Sequence, residues 1–127
     1  MRILIDTHVA IWAVIGDPKL PAHAVSAIEQ ASDIYVSAAS IWEISIKFAV
    51  KKGGINFSGA QALEEFRLAG FKMLSVHPRH AAAVDELPLL HGDPFDRILV
   101  AQARTEPMHF LTCDAALKVY GHLVSLL

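Results

Sequence analysis

His91-Gly92-Asp93-Pro94-Phe95-Asp96-Arg97 opens a helix that reads on through Ile98-Leu99-Val100-Ala101-Gln102-Ala103. Proline suits the first helical position, which makes Pro94 the opening residue, Asp93 the cap before it and Asp96 the third residue. Both acids then face the positive end of the helix. Capping and dipole compensation would account for that pair alone. Other acids change the reading: Asp6 and Asp114 each follow a short apolar run, and Glu43 lies inside an apolar helix. Asp6, Glu43, Asp96 and Asp114 are therefore read together as a candidate metal site.

Outward from that helix, short apolar segments alternate with helical ones. Arg2 to Ile5 is expected to be a buried strand ending at Asp6-Thr7, which can cap a helix through Val9 to Val14. Gly16-Asp17-Pro18 marks a turn, and Pro21 opens a helix from Ala22 to about Ala31. Ile34-Tyr35-Val36 is a second strand. Ser37 or Ser40 caps a third helix, which is expected to run to Lys52 and stop at Gly53-Gly54, with Glu43 in its first turns. Residues 55–59 read as a connector, Ala60 to Ala69 as a helix and Phe71 to Val76 as a strand. Pro78 begins a helix whose Ala81, Val84 and Leu87 share one face at 3.6-residue spacing. Late in the chain, Pro107 stops the helix that Pro94 began, His109 to Thr112 is a strand, Asp114 caps a short helix to Tyr120, and Val124 to Leu127 is an edge strand.

This alternation predicts an α/β domain of three layers, α/β/α, with a mainly parallel central sheet of four to five short strands, formed by residues 1–127 as a single domain. In such sheets ligands bind beyond the carboxyl ends of the strands, near the point where strand order reverses. If the strands before Asp6 and Asp114 are neighbours, their carboxylates share one edge. Helices starting at Asp93 and near Ser40 can bring Asp96 and Glu43 to it.

Composition narrows the possible partners. A net charge of −2 and a pI near 6.4 exclude a globally basic surface, so any nucleic-acid contact has to be local. Lys47, Lys51, Lys52, Arg97 and Arg104 sit on the two helices that carry Glu43 and Asp96. The chain is 54% hydrophobic with mean hydropathy +0.40, which points to surface reserved for another chain, and a homodimer is expected. The helix bearing Trp42 and Phe48 is the expected contact, and a second apolar groove is expected to take a partner's amphipathic helix.

No apolar run approaches the ~18 residues of a membrane span, and the opening run breaks at Asp6, too soon for a signal peptide. A cytoplasmic location is expected. The lone Cys113 excludes an internal disulfide and reads as a packing residue.

Glu43 stands among Ile41, Trp42, Ile44 and Ile46, where an unpaired carboxylate is costly. Lys47, four residues on, offers a helix ion pair worth only ~0.3–0.5 kcal/mol. Clustered carboxylates repel, and an all-oxygen donor set favours Mg²⁺ or Mn²⁺ to relieve them. The seven histidines form no zinc-type pair. His77 and His80 read as surface residues at a helix start, and His91 as a loop residue within reach of a phosphate.

Four ordered segments carry a family resemblance: Ile5-Asp6-Thr7-His8, Ser40-Ile41-Trp42-Glu43-Ile44, the run from His91 to Ala103 that contains D-P-F-D-R, and Leu111-Thr112-Cys113-Asp114. In this set the chain resembles PIN-domain ribonucleases of the VapC toxin type along essentially its whole length. The resemblance implies an Mg²⁺- or Mn²⁺-dependent endoribonuclease that cleaves RNA phosphodiester bonds and is inhibited by a VapB-type antitoxin. It also implies that Asp6, Glu43, Asp96 and Asp114 are the metal-site acids, with Asp6 and Asp96 as direct ligands and Thr112 as a polar helper. Arg97 would orient Asp96 or touch a phosphate, Lys47 would join it on the substrate, and Asp93 would reach a metal or only cap.

Two other readings compete. A non-enzymatic metal-binding α/β signalling or partner-binding module would want adjacent acids after the first strand, where Thr7-His8 stand. An aspartyl-phosphate phosphatase would want D-x-D there, but residue 8 is His8.

Overall fold

The computed structural model describes residues 2–90, 92–121 and 124–126. The elements run β1 (Arg2–Ile5), α1 (Thr7–Ile15), α2 (Ala22–Gln30), β2 (Asp33–Ser37), α3 (Ala38–Ala49), α4 (Gly59–Leu68) and β3 (Lys72–Leu74). They continue with α5 (Pro78–Ala83), a 3-10 turn (Val84–Glu86), α6 (Pro94–Thr105), β4 (His109–Thr112), a 3-10 helix (Ala115–Tyr120) and β5 (Val124–Leu126). The strands form one five-stranded sheet in the order β3-β2-β1-β4-β5, every pairing parallel. Among the described residues no helix is long and apolar enough to cross a membrane.

Strand alternation sorts the core into two clusters. Ile3, Ile5, Ile34, Val36 and Leu111 pack on one side with Val9, Ala24, Ala62 and Phe66, from α1, α2 and α4. Leu4, Leu74, Phe110 and Val124 pack on the other with Leu99, Val100 and Ala103 of α6 and Leu117 of the 3-10 helix. The sheet is thus covered on both faces, as its near-continuous apolar strands require. Helix α3 spans the two, giving Ile44 to the first cluster and Ala39 to the second.

Several expected boundaries shift. Ser37 caps α3, its hydroxyl accepting from the Ala39 N–H (3.0 Å), and Ser40 is instead buried within the helix. The helix ends at Ala49, short of the expected Lys52. The connector before α4 hides a capping box, in which Ser58 accepts from Gln61 N–H and Gln61 Oε1 from Ser58 N–H. The S-x-x-Q spacing carried that signal. Strand β3 is shorter than Phe71 to Val76. The face expected of Ala81, Val84 and Leu87 does not form: α5 stops at Ala83, Ala81 is exposed, and the tightening to 3-10 breaks the spacing that leads to buried Leu87.

The strand order decides where the site falls. From β1 the chain steps to β2 and β3 on one side, then returns to β4 and β5 on the other, so the reversal lies between β1 and β4. Asp6 leaves the end of β1, and its N–H donates to Leu111 O of β4 at 3.1 Å.

Candidate active site

Asp6 is 5% exposed and caps α1, its Oδ1 accepting from Val9 N–H at 2.8 Å. Its other oxygen accepts from the Thr112 hydroxyl at 2.5 Å, and that hydroxyl accepts in turn from Asp114 N–H at 3.0 Å. One threonine oxygen therefore joins the ends of β1 and β4. Asp114 extends the line as the cap of the 3-10 helix, accepting from Ala116 N–H at 3.0 Å. Burial pushes the Asp6 carboxyl above its ordinary value, against the opposing hydrogen bonds from Thr112 and Val9.

The charges of three of the acids reach Cys113. Its thiol is pushed up to about 11, first by burial and then by the charge of Asp6, with Asp114 and Asp96 adding to the effect. Three carboxylates thus act on one sulfur. The side chain is exposed, which corrects the expectation that Cys113 packs in the core: it stands in the turn between Thr112 and Asp114.

Asp96 arrives on the first turn of α6, which Asp93 caps by accepting from Phe95 N–H (2.8 Å) and Asp96 N–H (3.3 Å). Phe95 meets Trp42 edge-on, ring centroids 5.2 Å apart, and so docks the start of α6 against α3. Glu43 lies on α3, 4% exposed, with Lys47 Nζ 2.6 Å from its Oε2. Ser40, one turn earlier, accepts from the Thr7 hydroxyl at 2.8 Å in a buried contact. That contact pins the Glu43-bearing side of α3 against the start of α1, beside Asp6.

The sequence offers Thr7 and Ser40 as capping candidates and does not mark them as residues that join α1 to α3. The S-x-x-E spacing of Ser40 and Glu43 looks like a helix-opening signal, and only tertiary packing turns the serine inward.

Two other expectations change. Arg97 is 8% exposed, and its guanidinium donates to Pro88 O (3.0 Å), Val84 O (3.1 Å) and the Tyr120 hydroxyl (3.2 Å). It braces the segment leading into α6 instead of meeting a phosphate, because a guanidinium buried by packing must find acceptors where it lies, here carbonyls that also accept from Leu87 N–H, Leu90 N–H and the Tyr120 hydroxyl. His80 is fully buried instead of lying on the surface: His77 N–H donates to its Nδ1 (3.0 Å) and its Nε2 donates to Glu106 Oε2 (2.5 Å). His77 itself is exposed. Lys47 is engaged with Glu43 in a helix ion pair. The expectation for His91 lies outside the described residues.

Among the described residues, no three His, Cys, Asp or Glu side chains stand close enough to cage an ion by themselves. The donor chemistry still fits a hard divalent cation. A buried carboxylate with its pKa raised, and two more carboxylates acting on the same thiol, make an oxygen-rich, negatively charged edge. Mg²⁺ typically takes one or two carboxylates and keeps its waters.

The chain belongs to the PIN-domain family, whose model matches residues 3–123. It is 30% identical over 128 residues to Ribonuclease VapC22 of Mycobacterium tuberculosis, covering 94% of this chain and 92% of that protein. Its fold is similar to chains in the crystal structure of VapBC2 from Rickettsia felis bound to a promoter DNA fragment (TM-score 0.70, 13% identity, 99% of this chain and 97% of that one). It is also similar to FitAcB from Neisseria gonorrhoeae (TM-score 0.64, 20% identity, 93% and 91%).

Proposed function

We propose that this chain is an endoribonuclease, the toxin component of a VapBC-type toxin–antitoxin system, and that it hydrolyses RNA phosphodiester bonds with Mg²⁺ or Mn²⁺. The observation that carries the reading is the Asp6–Thr112–Asp114 hydrogen-bonded line at the switch point of the sheet. It occurs in a chain 30% identical to a ribonuclease.

Asp6 and Asp96 are the proposed direct ligands, and Asp114 and Glu43 complete the acidic set. When bound, the cation lowers the pKa of a coordinated water and neutralises charge developing on the scissile phosphate. Thr112 keeps the Asp6 carboxylate turned to the site by donating to one of its oxygens. Glu43, with Lys47 beside it, is proposed to orient the attacking water or accept its proton, and Lys47 to approach a substrate phosphate. Arg97 and Asp93 are assigned to holding the entry to α6.

An antitoxin of the VapB type is the proposed partner. Its amphipathic helix would fill the apolar cavity of about 540 Å³ lined by Ala39, Trp42, Val76, Val84, Phe95 and Ile98. A polar or basic side chain would reach from there to the acids. The chain is further proposed to act in the cytoplasm.

The test is incubation of purified, partner-free protein with structured RNAs in Mg²⁺, Mn²⁺ or EDTA. Wild type should cleave only with the cation. Asp6→Asn and Asp96→Asn should lose roughly 10²-fold or more of that rate, while keeping the fold: asparagine caps α1 at position 6 about as well as aspartate, and at position 96 it is a near-isosteric change in a first turn that Asp93 caps. Full cleavage by either variant would remove the site assignment, and intact RNA with wild type would remove the activity.

A further inference from the structure

Helix α3 closes with a backbone pattern that glycine ordinarily serves. Lys51 N–H donates to Phe48 O (3.2 Å) and Lys52 N–H to Lys47 O (2.9 Å), the paired bonds of a Schellman ending. The left-handed residue in that motif is Lys51, φ 56°, and among the described non-glycine residues it is the one with positive φ. Gly53 and Gly54 continue the left-handed turn at φ 71° and 68°. The chain therefore accepts a strained lysine where a glycine would relax the backbone, with two glycines close by. Compensation of the helix dipole explains cations at Lys47 and Lys52 equally well anywhere in the last turn, but it does not require this backbone position to carry a side chain.

Beside Lys51 lies a cavity of about 480 Å³, lined also by Phe48, Gly54, Ile55 and Asn56. Phe48 is 41% exposed, Lys51, Lys52 and Asn56 are exposed, and no described acid lines the cavity. The loop turns back on α3, so that a Cβ at Gly53 would sit 3.6 Å from Lys47 Cδ. Lys47 in turn holds Glu43. Glu43 and Lys51 stand about 12 Å apart along the helix axis, so the hollow lies at the far end of the helix that presents the acid.

We propose that the hollow is a subsite for single-stranded RNA, in which a base stacks on Phe48 and bonds to Asn56 while Lys51 and Lys52 hold the flanking phosphates. An aromatic face beside lysines in a concave surface is the chemistry that binds single strands without reading their sequence. The proposal rests on the ribonuclease reading for its substrate.

Lys51→Gly separates a backbone role from a ligand role, because the two move stability and binding in opposite directions. Melting temperature should rise as the left-handed strain is relieved. KM for RNA should rise several-fold, by more than kcat falls, and the salt dependence of binding should flatten by about 0.7 in log–log slope for the lost phosphate contact. Phe48→Leu should weaken binding about 5-fold or more through lost stacking.

Binding is read separately by fluorescence anisotropy of a labelled single-stranded RNA of mixed sequence in EDTA, so that a failure of the nuclease reading leaves the subsite testable. Equal RNA affinity and salt slope in wild type and both variants would overturn the proposal. So would a change in sedimentation with RNA affinity unmoved, which would make this face a contact between copies of the chain.

Discussion

Glu106, just past the end of α6, accepts from His80 Nε2 and from Arg79 Nη2, each at 2.5 Å, while its backbone carbonyl accepts from Arg2. The carboxyl is held below its ordinary value, first by the His80 hydrogen bond, with the Arg79 charge assisting. Because the folded value is the lower one, the unfolded chain takes up the proton first on acidification. The contribution to stability is full above the ordinary value of 4.5 and is lost as pH falls through the folded value. Glu106→Gln keeps an acceptor for His80 but has nothing to titrate. The gap in melting temperature between wild type and variant should therefore close as pH drops from 7 through this window. A gap that stays constant over that range would refute the assignment.

At the scale of elements, α3 and α4 approach more closely than side chains of ordinary size permit, and Gly59 is the reason. A Cβ there would stand 1.9 Å from Ser45 Oγ and 3.2 Å from Ser45 Cβ. Ser45 Oγ donates to Ile41 O at 2.9 Å, so turning it aside breaks that bond as well. Gly59→Ala should cost about 1–3 kcal/mol by overpacking. Adding Ser45→Ala should recover most of the loss, whereas Ser45→Ala alone should change little. Thermal or denaturant unfolding of the three variants checks this, and an unaffected Gly59→Ala single variant would show that the helices part without strain. The approach matters for the site because α4 backs the helix that presents Glu43.

For the molecule as a whole, the open question is what covers its apolar exterior. Trp42, Ile46 and Val50 are 62%, 38% and 57% exposed and recur every four residues, forming one stripe on α3. Phe48 lies about 120° around the helix from Trp42, so the expected pairing of Trp42 with Phe48 divides into two surfaces. A homodimer through the Ile46 and Val50 end of the stripe is predicted, Trp42 lining the cavity assigned to the antitoxin. Sedimentation at micromolar concentration should give about twice the 13.8 kDa chain mass, and Ile46→Lys should shift it toward the monomer. Wild type sedimenting only as a monomer would exclude the dimer.

The sequence by itself determined the strand positions to within a few residues, the capping roles of Asp6, Asp93 and Asp114, the Glu43–Lys47 pair and the set of candidate acids. Each depends on contacts within a few residues along the chain, where capping chemistry and apolar periodicity act directly. The tertiary structure alone decided that β1 and β4 are neighbours, so that the Thr112 hydroxyl reaches Asp6 across 106 residues. It also decided that Ser40 turns inward to Thr7, that His80 and Arg97 are buried and find their partners on other elements, and that Cys113 faces out beside the acids. Those outcomes depend on which surfaces the whole core brings together, because a buried polar group must find a partner wherever packing puts it, and no local pattern encodes that position.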